Sequence, residues 1–269
     1  MYIYLQQLFQ MKIKFQKYQG TGNDFIIINN NKLNFPELDS DLIKRLCSRK
    51  FGVGSDGLIL INPSKNTDFE MIYFNSDGKL GSLCGNGARC SVMFGYENKI
   101  IHSKTIFSSC QGNHKATIIN NNIFLNMLDV DDLQLYKNDI LLNTGSPHYV
   151  KIVQDLENYD VLHNGKKIRN SPDFKSNGIN VNFVQKISED TFKVRTYERG
   201  VENETLSCGT GATASAIAMN FLKKTNSEKI KIKTIGGDLN VKFNTNNKTY
   251  KNIELSGHVS KVFSGEIKI

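Results

Sequence analysis

The sequence predicts an α+β fold, dominated by strands and divided into two similar halves. Three observations carry this. Short β-branched or aromatic runs recur along the chain, many bracketed by Gly, Asn or Asp. Few segments carry helix signals. Several motifs occur twice, in the same order and at a near-constant offset. Thr21-Gly22-Asn23-Asp24-Phe25 resembles Thr144-Gly145-Ser146-Pro147-His148 at an offset of 123. Gly52-Val53-Gly54 precedes an apolar strand, as Gly178-Ile179-Asn180 does at an offset of 126. Tyr73-Phe74-Asn75 leads to Cys84-Gly85-Asn86-Gly87-Ala88. Thr196-Tyr197-Glu198 leads to Cys208-Gly209-Thr210-Gly211-Ala212, the cysteines lying 124 apart. The halves are read as roughly 11–129 and 130–257, with the Asp-rich stretch Asp129–Asp132 near the junction. Halves of common origin pack about a pseudo-twofold axis, so matched loops face each other across a cleft.

The strands expected are Lys12–Phe15, Phe25–Asn29, Leu58–Ile61, Glu70–Phe74, Ala116–Ile119 and Ile123–Leu128 in the first half. In the second they are Val181–Gln185, Phe192–Tyr197, Ile230–Lys233, Asn240–Phe243 and Ile253–Ser256. One helix is expected over Leu38–Ser48, with Asp39, Ser40 and Asp41 offering caps. A second follows Cys84 (GNGARCSVMFGYEN). A third follows Cys208 (GTGATASAIAMNFLKK); it is rich in Ala and ends in two lysines, as a helix C-terminus favours.

A chain of 269 residues can bury a sizeable core. It has no apolar run of about 18 residues, so no membrane span is expected. The first ten residues, MYIYLQQLFQ, lack a cationic start and a small-residue cleavage site, so no signal peptide is expected. Met11 opens what looks like a domain, so residues 1–10 are expected to be a non-core extension. Five cysteines in no framework spacing point to free thiols in a reducing, cytoplasmic setting. The net charge of +8 comes from scattered lysines, and basic and aromatic residues are not interleaved as in a nucleic-acid surface. Nucleic acid and membrane are therefore not expected partners.

Cys-Gly-x-Gly-Ala opening a helix carries the chemistry. A cysteine there sits among unpaired N–H groups at the positive end of the helix dipole. Both lower a thiol pKa, here expected to move toward neutrality. The glycines let the backbone approach an anion closely. Two such motifs face to face bracket a carboxylate and its α-carbon. Inverting a stereocentre by proton exchange needs a base on one face and an acid on the other, and two thiols can trade those roles. N–H donors at two helix starts would stabilise charge developing on the carboxylate. Cys84 and Cys208 are the candidate catalytic pair. Other readings weigh less. No Cys/His pairs have zinc-ligand spacing, so no metal is expected. No C-x-x-C suggests a redox pair. The Gly-x-Gly spacing fits neither a P-loop nor a dinucleotide fingerprint. No Lys-centred motif suggests a pyridoxal phosphate Schiff base.

Taken together, GTGNDF (20–25), FNSDG (74–78), CGNGARC (84–90), GSPH (145–148), YERG (197–200) and ETLSCGTGATA (204–214) resemble the diaminopimelate epimerase family, from about Met11 to the C-terminus. The resemblance implies a cofactor-free enzyme interconverting LL- and meso-2,6-diaminopimelate in lysine and peptidoglycan-precursor synthesis. It implies two halves, each a β-barrel-like sheet around a central helix, with the last strand, 258–269, returning to the first half. It implies Cys84 and Cys208 as acid and base. Asn23, Asn75 and Asn180 are implied as substrate ligands, with Gly85-Asn86 and Gly209-Thr210 holding the reacting carboxylate. Glu198 and Arg199 are implied as further contacts, and His148 and Glu198 as tuners of the thiol pKa. Each polar residue has a plainer reading: the asparagines as turn residues, His148 as a structural histidine, Glu198–Arg199 as a surface ion pair. A homodimer is the one assembly left open.

Three departures stand out. Ser146 replaces the commoner Asn. Gly57 stands where many members carry a substrate-binding Gln. Val201-Glu202-Asn203-Glu204 is one residue longer than usual. The alternative enzyme is a proline or hydroxyproline racemase of the same fold, which Asn86 and Arg89 disfavour. A phenazine-type isomerase shares the fold but not the cysteine pair.

Overall fold

The computed structural model describes residues 11–269 apart from 32, 34, 38 and 247. The expected extension at residues 1–10 lies outside the described residues.

The first half runs β1 (Lys12–Gly20), β2 (Asn23–Asn29), α1 (Ser40–Cys47), β3 (Gly57–Asn62), β4 (Phe69–Asn75), α2 (Gly85–Glu97), β5 (Lys104–Ser109), β6 (Gly112–Ile119) and β7 (Asn122–Asn126). The second runs β8 (Leu133–Tyr136), β9 (Asp139–Asn143), β10 (Pro147–Ile152), α3 (Val161–Arg169), β11 (Asn180–Lys186), β12 (Thr191–Glu198), β13 (Asn203–Thr205), α4 (Gly209–Phe221), β14 (Lys229–Thr234), β15 (Gly237–Asn246) and β16 (Thr249–Lys268). The pairing repeats. β2 and β3 are parallel, as are β10 and β11. β3 and β4 are antiparallel, as are β11 and β12. The parallel β4–β5 contact recurs as β12–β14. The halves are thus alike in structure as well as in motif order.

β16 serves both halves. Its Glu254–His258 stretch pairs with β7, and Leu239 to Asn246 of β15 pair along its earlier part. Val259 to Lys268 then pair with β1, from Gly20 back to Lys12, closing β1–β7 into a ring. In the second half the strands run from β16 through β15, β14, β12, β11, β10 and β9 to β8. A bridge between Val130 and Tyr250 brings the approach to β8 back against β16.

Each ring encloses a helix. In α2 the residues from Gly85 to Gly95 are buried, and in α4 those from Gly209 to Asn220. A helix apolar and small on every side belongs inside a core, and α4 is of that kind. Its Ala212, Ala214, Ala216, Ile217 and Ala218 join Phe25, Phe107, Val241 and Phe243 in one cluster spanning both interiors. Outside the first ring α1 covers Ile26, Ile28, Leu58 and Leu60. Outside the second, the cluster under α3 contains Val161, Val181, Phe183 and Tyr197. β2 and β3 are therefore covered on both faces, which explains their unbroken apolar runs where alternation would otherwise be expected.

Some expectations are corrected. The helix expected over Leu38–Ser48 runs Ser40–Cys47; Asp39 caps it, its Oδ1 accepting from Leu42 N at 2.8 Å. α4 ends before the two lysines, and Lys223 takes a left-handed φ of 55° that turns the chain away. The helix α3 was not expected, because VLHNGKKIR is polar and interrupted by Gly165. That glycine is needed there: a Cβ would lie 2.3 Å from Cβ of Tyr197. β5, β8, β9, β10 and β13 were also unexpected. β8 and β13 are only 4 and 3 residues long, and tertiary pairing rather than local pattern makes them.

Candidate active site

The two cysteines occupy matched positions. Cys84 is the N-cap of α2, with an extended backbone, and its Sγ accepts from Gly87 N at 3.4 Å. Cys208 is the N-cap of α4, and its Sγ accepts from Gly211 N at 3.4 Å. The helix starts meet. A Cβ on Gly209 would stand 3.3 Å from Cα of Gly85 and 3.0 Å from Cδ2 of Leu255. Glycine at both positions lets the first turns come together, so two sets of unpaired N–H groups converge on one place.

That place is a cleft of about 630 Å³. Both cysteines line it. So do Asn23, Asn75, Gly85, Asn86, Ser146, Asn180, Glu198, Arg199, Gly209 and Thr210. Strand ends deliver the asparagines: Asn23 opens β2, Asn75 closes β4 and Asn180 opens β11. The Cys84 thiol donates to Asn23 Oδ1 at 3.5 Å, and Asn23 Nδ2 donates to Asp56 at 2.8 Å. Asn180 Oδ1 accepts from the backbone N–H of Arg199 at 2.9 Å, which fixes the turn bearing that guanidinium. Cys208 and the Thr210 hydroxyl share a contact of 3.4 Å.

Polar groups stitch the halves together at the cleft floor. Asn86 Nδ2 donates to Ser207 Oγ at 3.0 Å, and the Thr21 and Ser207 hydroxyls are 2.6 Å apart. Arg89 lies beneath them, fully buried. Its Nη2 donates to Asn86 Oδ1 at 3.1 Å and to Thr21 Oγ1 at 3.4 Å. No carboxylate among the described residues pairs with it.

The thiols do not show the lowered pKa expected from the helix starts. Burial pushes Cys84 up to about 11 and raises Cys208 further. The N–H groups of Gly87 and Gly211 pull the other way, and Glu198 adds to the rise at both thiols. At both thiols desolvation outweighs the donors. Glu198 itself is raised to about 7 by burial, although the Thr205 hydroxyl donates to it at 3.1 Å.

His148 is placed differently. It is buried and is not among the side chains lining the cleft. Asn182, whose Nδ2 donates to Tyr149 O at 3.1 Å, also lies 3.1 Å from His148 Nδ1. The amide must donate to both, so the ring proton sits on Nε2. Burial lowers His148 to about 3, so it is neutral. Asn182, Thr21 and Ser207 were not anticipated from sequence. Asn182 lies two residues beyond Asn180 on the same strand face, the one signal that pointed to it.

Two similar barrels, a helix within each and a cysteine at each facing helix start define a two-barrel fold with its site at the seam between the halves. A phenazine biosynthesis protein of the PhzF family from Bacillus anthracis superposes with a TM-score of 0.73 at 16% identity, over 96% of this chain and 99% of that one. A hydroxyproline epimerase from Agrobacterium vitis superposes at 0.70 and 12% identity, over 97% and 94%. These show a shared fold. The family model described as diaminopimelate epimerase matches residues 15–128 and 140–262. A relative of that name from Flavobacterium psychrophilum is 50% identical over 256 residues, covering 95% of this chain and all of its own length. Another, from Aquifex aeolicus, is 39% identical, covering 95% of this chain and 98% of itself. The chain belongs to the diaminopimelate epimerase family.

Proposed function

We propose that this chain interconverts LL- and meso-2,6-diaminopimelate, with Cys84 and Cys208 as the two bases and no cofactor. The observation that carries the reading is the pairing of two cysteine-capped helix starts across one cleft, each thiol accepting an N–H at 3.4 Å. The substrate carboxylate sits where the first turns converge and accepts from their N–H groups. One cysteine, as thiolate, takes the α-hydrogen. The other, as thiol, delivers a proton to the opposite face, and the C–H bond lost is replaced by one of inverted configuration. The roles exchange for the reverse reaction. Negative charge building on the carboxylate oxygens is stabilised by donors already in place.

The raised thiol pKa values fit this scheme. Mutual repulsion keeps the second thiol protonated when the first ionises, as an acid–base pair requires. The substrate ammonium brings positive charge to the cleft and favours that single ionisation. Arg199 offers a fork suited to the distal carboxylate. Glu198 lines the cleft and raises both thiols, while the neutral His148 stands outside the lining and reaches the site through Asn182. The racemase alternative has only a shared fold in its favour.

We also infer the division 11–129 with 258–269 against 130–257, supported by the pairing of the end of β16 with β1. Five free cysteines, Cys47, Cys84, Cys90, Cys110 and Cys208, support a reducing cytoplasmic setting. No helix among the described residues is long and apolar enough to cross a membrane.

Cys84→Ala and Cys208→Ala, assayed separately on LL-diaminopimelate under reductant, are each expected to lower kcat by more than about a hundredfold. Full activity in either variant rules out the two-thiol scheme.

A further inference from the structure

Gly57 and Gly81 flank the ring of one tyrosine. A Cβ on Gly57 would lie 2.5 Å from Cε2 of Tyr73, and one on Gly81 would lie 2.4 Å from its Cδ1. Real Cβ atoms do not approach other atoms so closely, so the slot exists only while both positions are glycine. Phe25 closes a third side, its ring edge-to-face with Tyr73 at 5.9 Å between centroids. The ring is held rather than free. Its hydroxyl lies 3.1 Å from where a Cβ of residue 57 would begin, so the phenol fills the space a side chain there would use.

Tyr73 also lines the cleft, together with Cys84 and Asn75. Among the described residues its hydroxyl has no hydrogen-bond partner, and it is not one of the buried polar atoms cut off from solvent. Among the described residues most other buried or half-buried tyrosine hydroxyls are engaged: Tyr18 with Glu97, Tyr136 with Asp173, Tyr149 with Asp139, Tyr197 with Glu202 and Tyr250 with Asn220. A phenol on a fixed ring, facing a polar cleft without a partner, is a donor awaiting an acceptor. Burial and the nearby Cys84 and Glu198 hold it protonated, so it can donate.

We propose that the Tyr73 hydroxyl is a substrate-binding group that donates a hydrogen bond to a carboxylate of the bound diamino diacid. A carboxylate is the acceptor because, with both amines protonated, the carboxylates are the only acceptors such a substrate has. The assignment rests on the proposed substrate. It gives a physical role to Gly57, which lacks a side chain of its own: the residue makes room for a donor supplied by the neighbouring strand. β3 and β4 pair antiparallel and bring the two positions together.

Tyr73→Phe keeps the ring in its slot and removes only the donor. Against wild-type protein that epimerises LL-diaminopimelate, the variant is expected to raise KM by roughly tenfold or more, the loss typical of a hydrogen bond to a charged group. Its thermal midpoint should stay within a degree or two of wild type, on the order of a neutral substitution. An unchanged KM overturns the assignment while leaving the epimerase reading intact. Wild-type protein that does not turn over the substrate overturns that reading instead. Gly81→Ala supplies a second arm. It should raise KM in the native background by displacing the ring and be silent in a Tyr73→Ala background. Equal effects in both backgrounds mean that the slot does not position the phenol.

Discussion

At the scale of single residues, the proposed chemistry rests on the two thiols, and their neighbours set when it can begin. Burial raises Cys84 to about 11 and lifts Cys208 as well. The N–H donors at the helix starts are present, yet do not bring either thiol toward neutrality. The donors are legible in the sequence; the partial desolvation that both sulfurs share is not, because it depends on two chain segments far apart in sequence. Glu198 makes a testable contribution. With its carboxyl raised to about 7, it is neutral below that pH and anionic above it. Its charge therefore opposes thiolate formation only in the upper range. In Glu198→Gln the rate of Cys84 alkylation by iodoacetamide, followed by mass spectrometry, should match wild type below about pH 7. It should run severalfold faster above it, with the titration displaced to lower pH. A profile that is unchanged or displaced upward contradicts this role.

At the scale of elements, the site depends on two helix starts that touch. α2 and α4 were legible because each opens on Cys-Gly-x-Gly-Ala and continues with small or apolar residues. Asn23, Asn75 and Asn180 were legible only as motif members, since an Asn at a strand end reads equally well as a turn residue. Tyr73 was not legible as a ligand at all. It looks like a strand aromatic until the slot between Gly57 and Gly81 is seen. α3 and five strands also escaped notice, being too short or too polar to reveal a period. The contact between α2 and α4 predicts its own sensitivity. In Gly209→Ala the new Cβ meets Cδ2 of Leu255 at 3.0 Å and Cα of Gly85 at 3.3 Å. The leucine tip can yield; the facing backbone cannot without parting the helix starts. Stability should fall by about 1–3 kcal/mol in a denaturant titration, the usual cost of overpacking. kcat/KM should fall with it, by about tenfold or more if the two N–H sets separate. Wild-type values for both would mean that the close approach is incidental.

At the scale of the whole molecule, duplication is the organising fact. One unit of strands, an outer helix and an enclosed helix occurs twice, and β16 runs through the walls of both. Repeated motifs at near-constant offset make that architecture readable in the sequence alone, because copies preserve order even where individual strands are faint. The shared strand was legible only through family resemblance; the run 253–268 has no internal signal that it changes partners midway. What duplication supplies is a pair of near-identical acid–base groups facing one another, and that is the central claim. Hydrogen isotope flow tests it most directly. LL-diaminopimelate is incubated with the reduced protein in D₂O, without added cofactor, and sampled at low conversion. Two thiols on opposite faces predict a meso product carrying deuterium at the inverted α-carbon, while the remaining LL isomer is still unlabelled. A product that keeps the substrate's own hydrogen at that carbon would contradict the account, because a single group would then have removed and returned it.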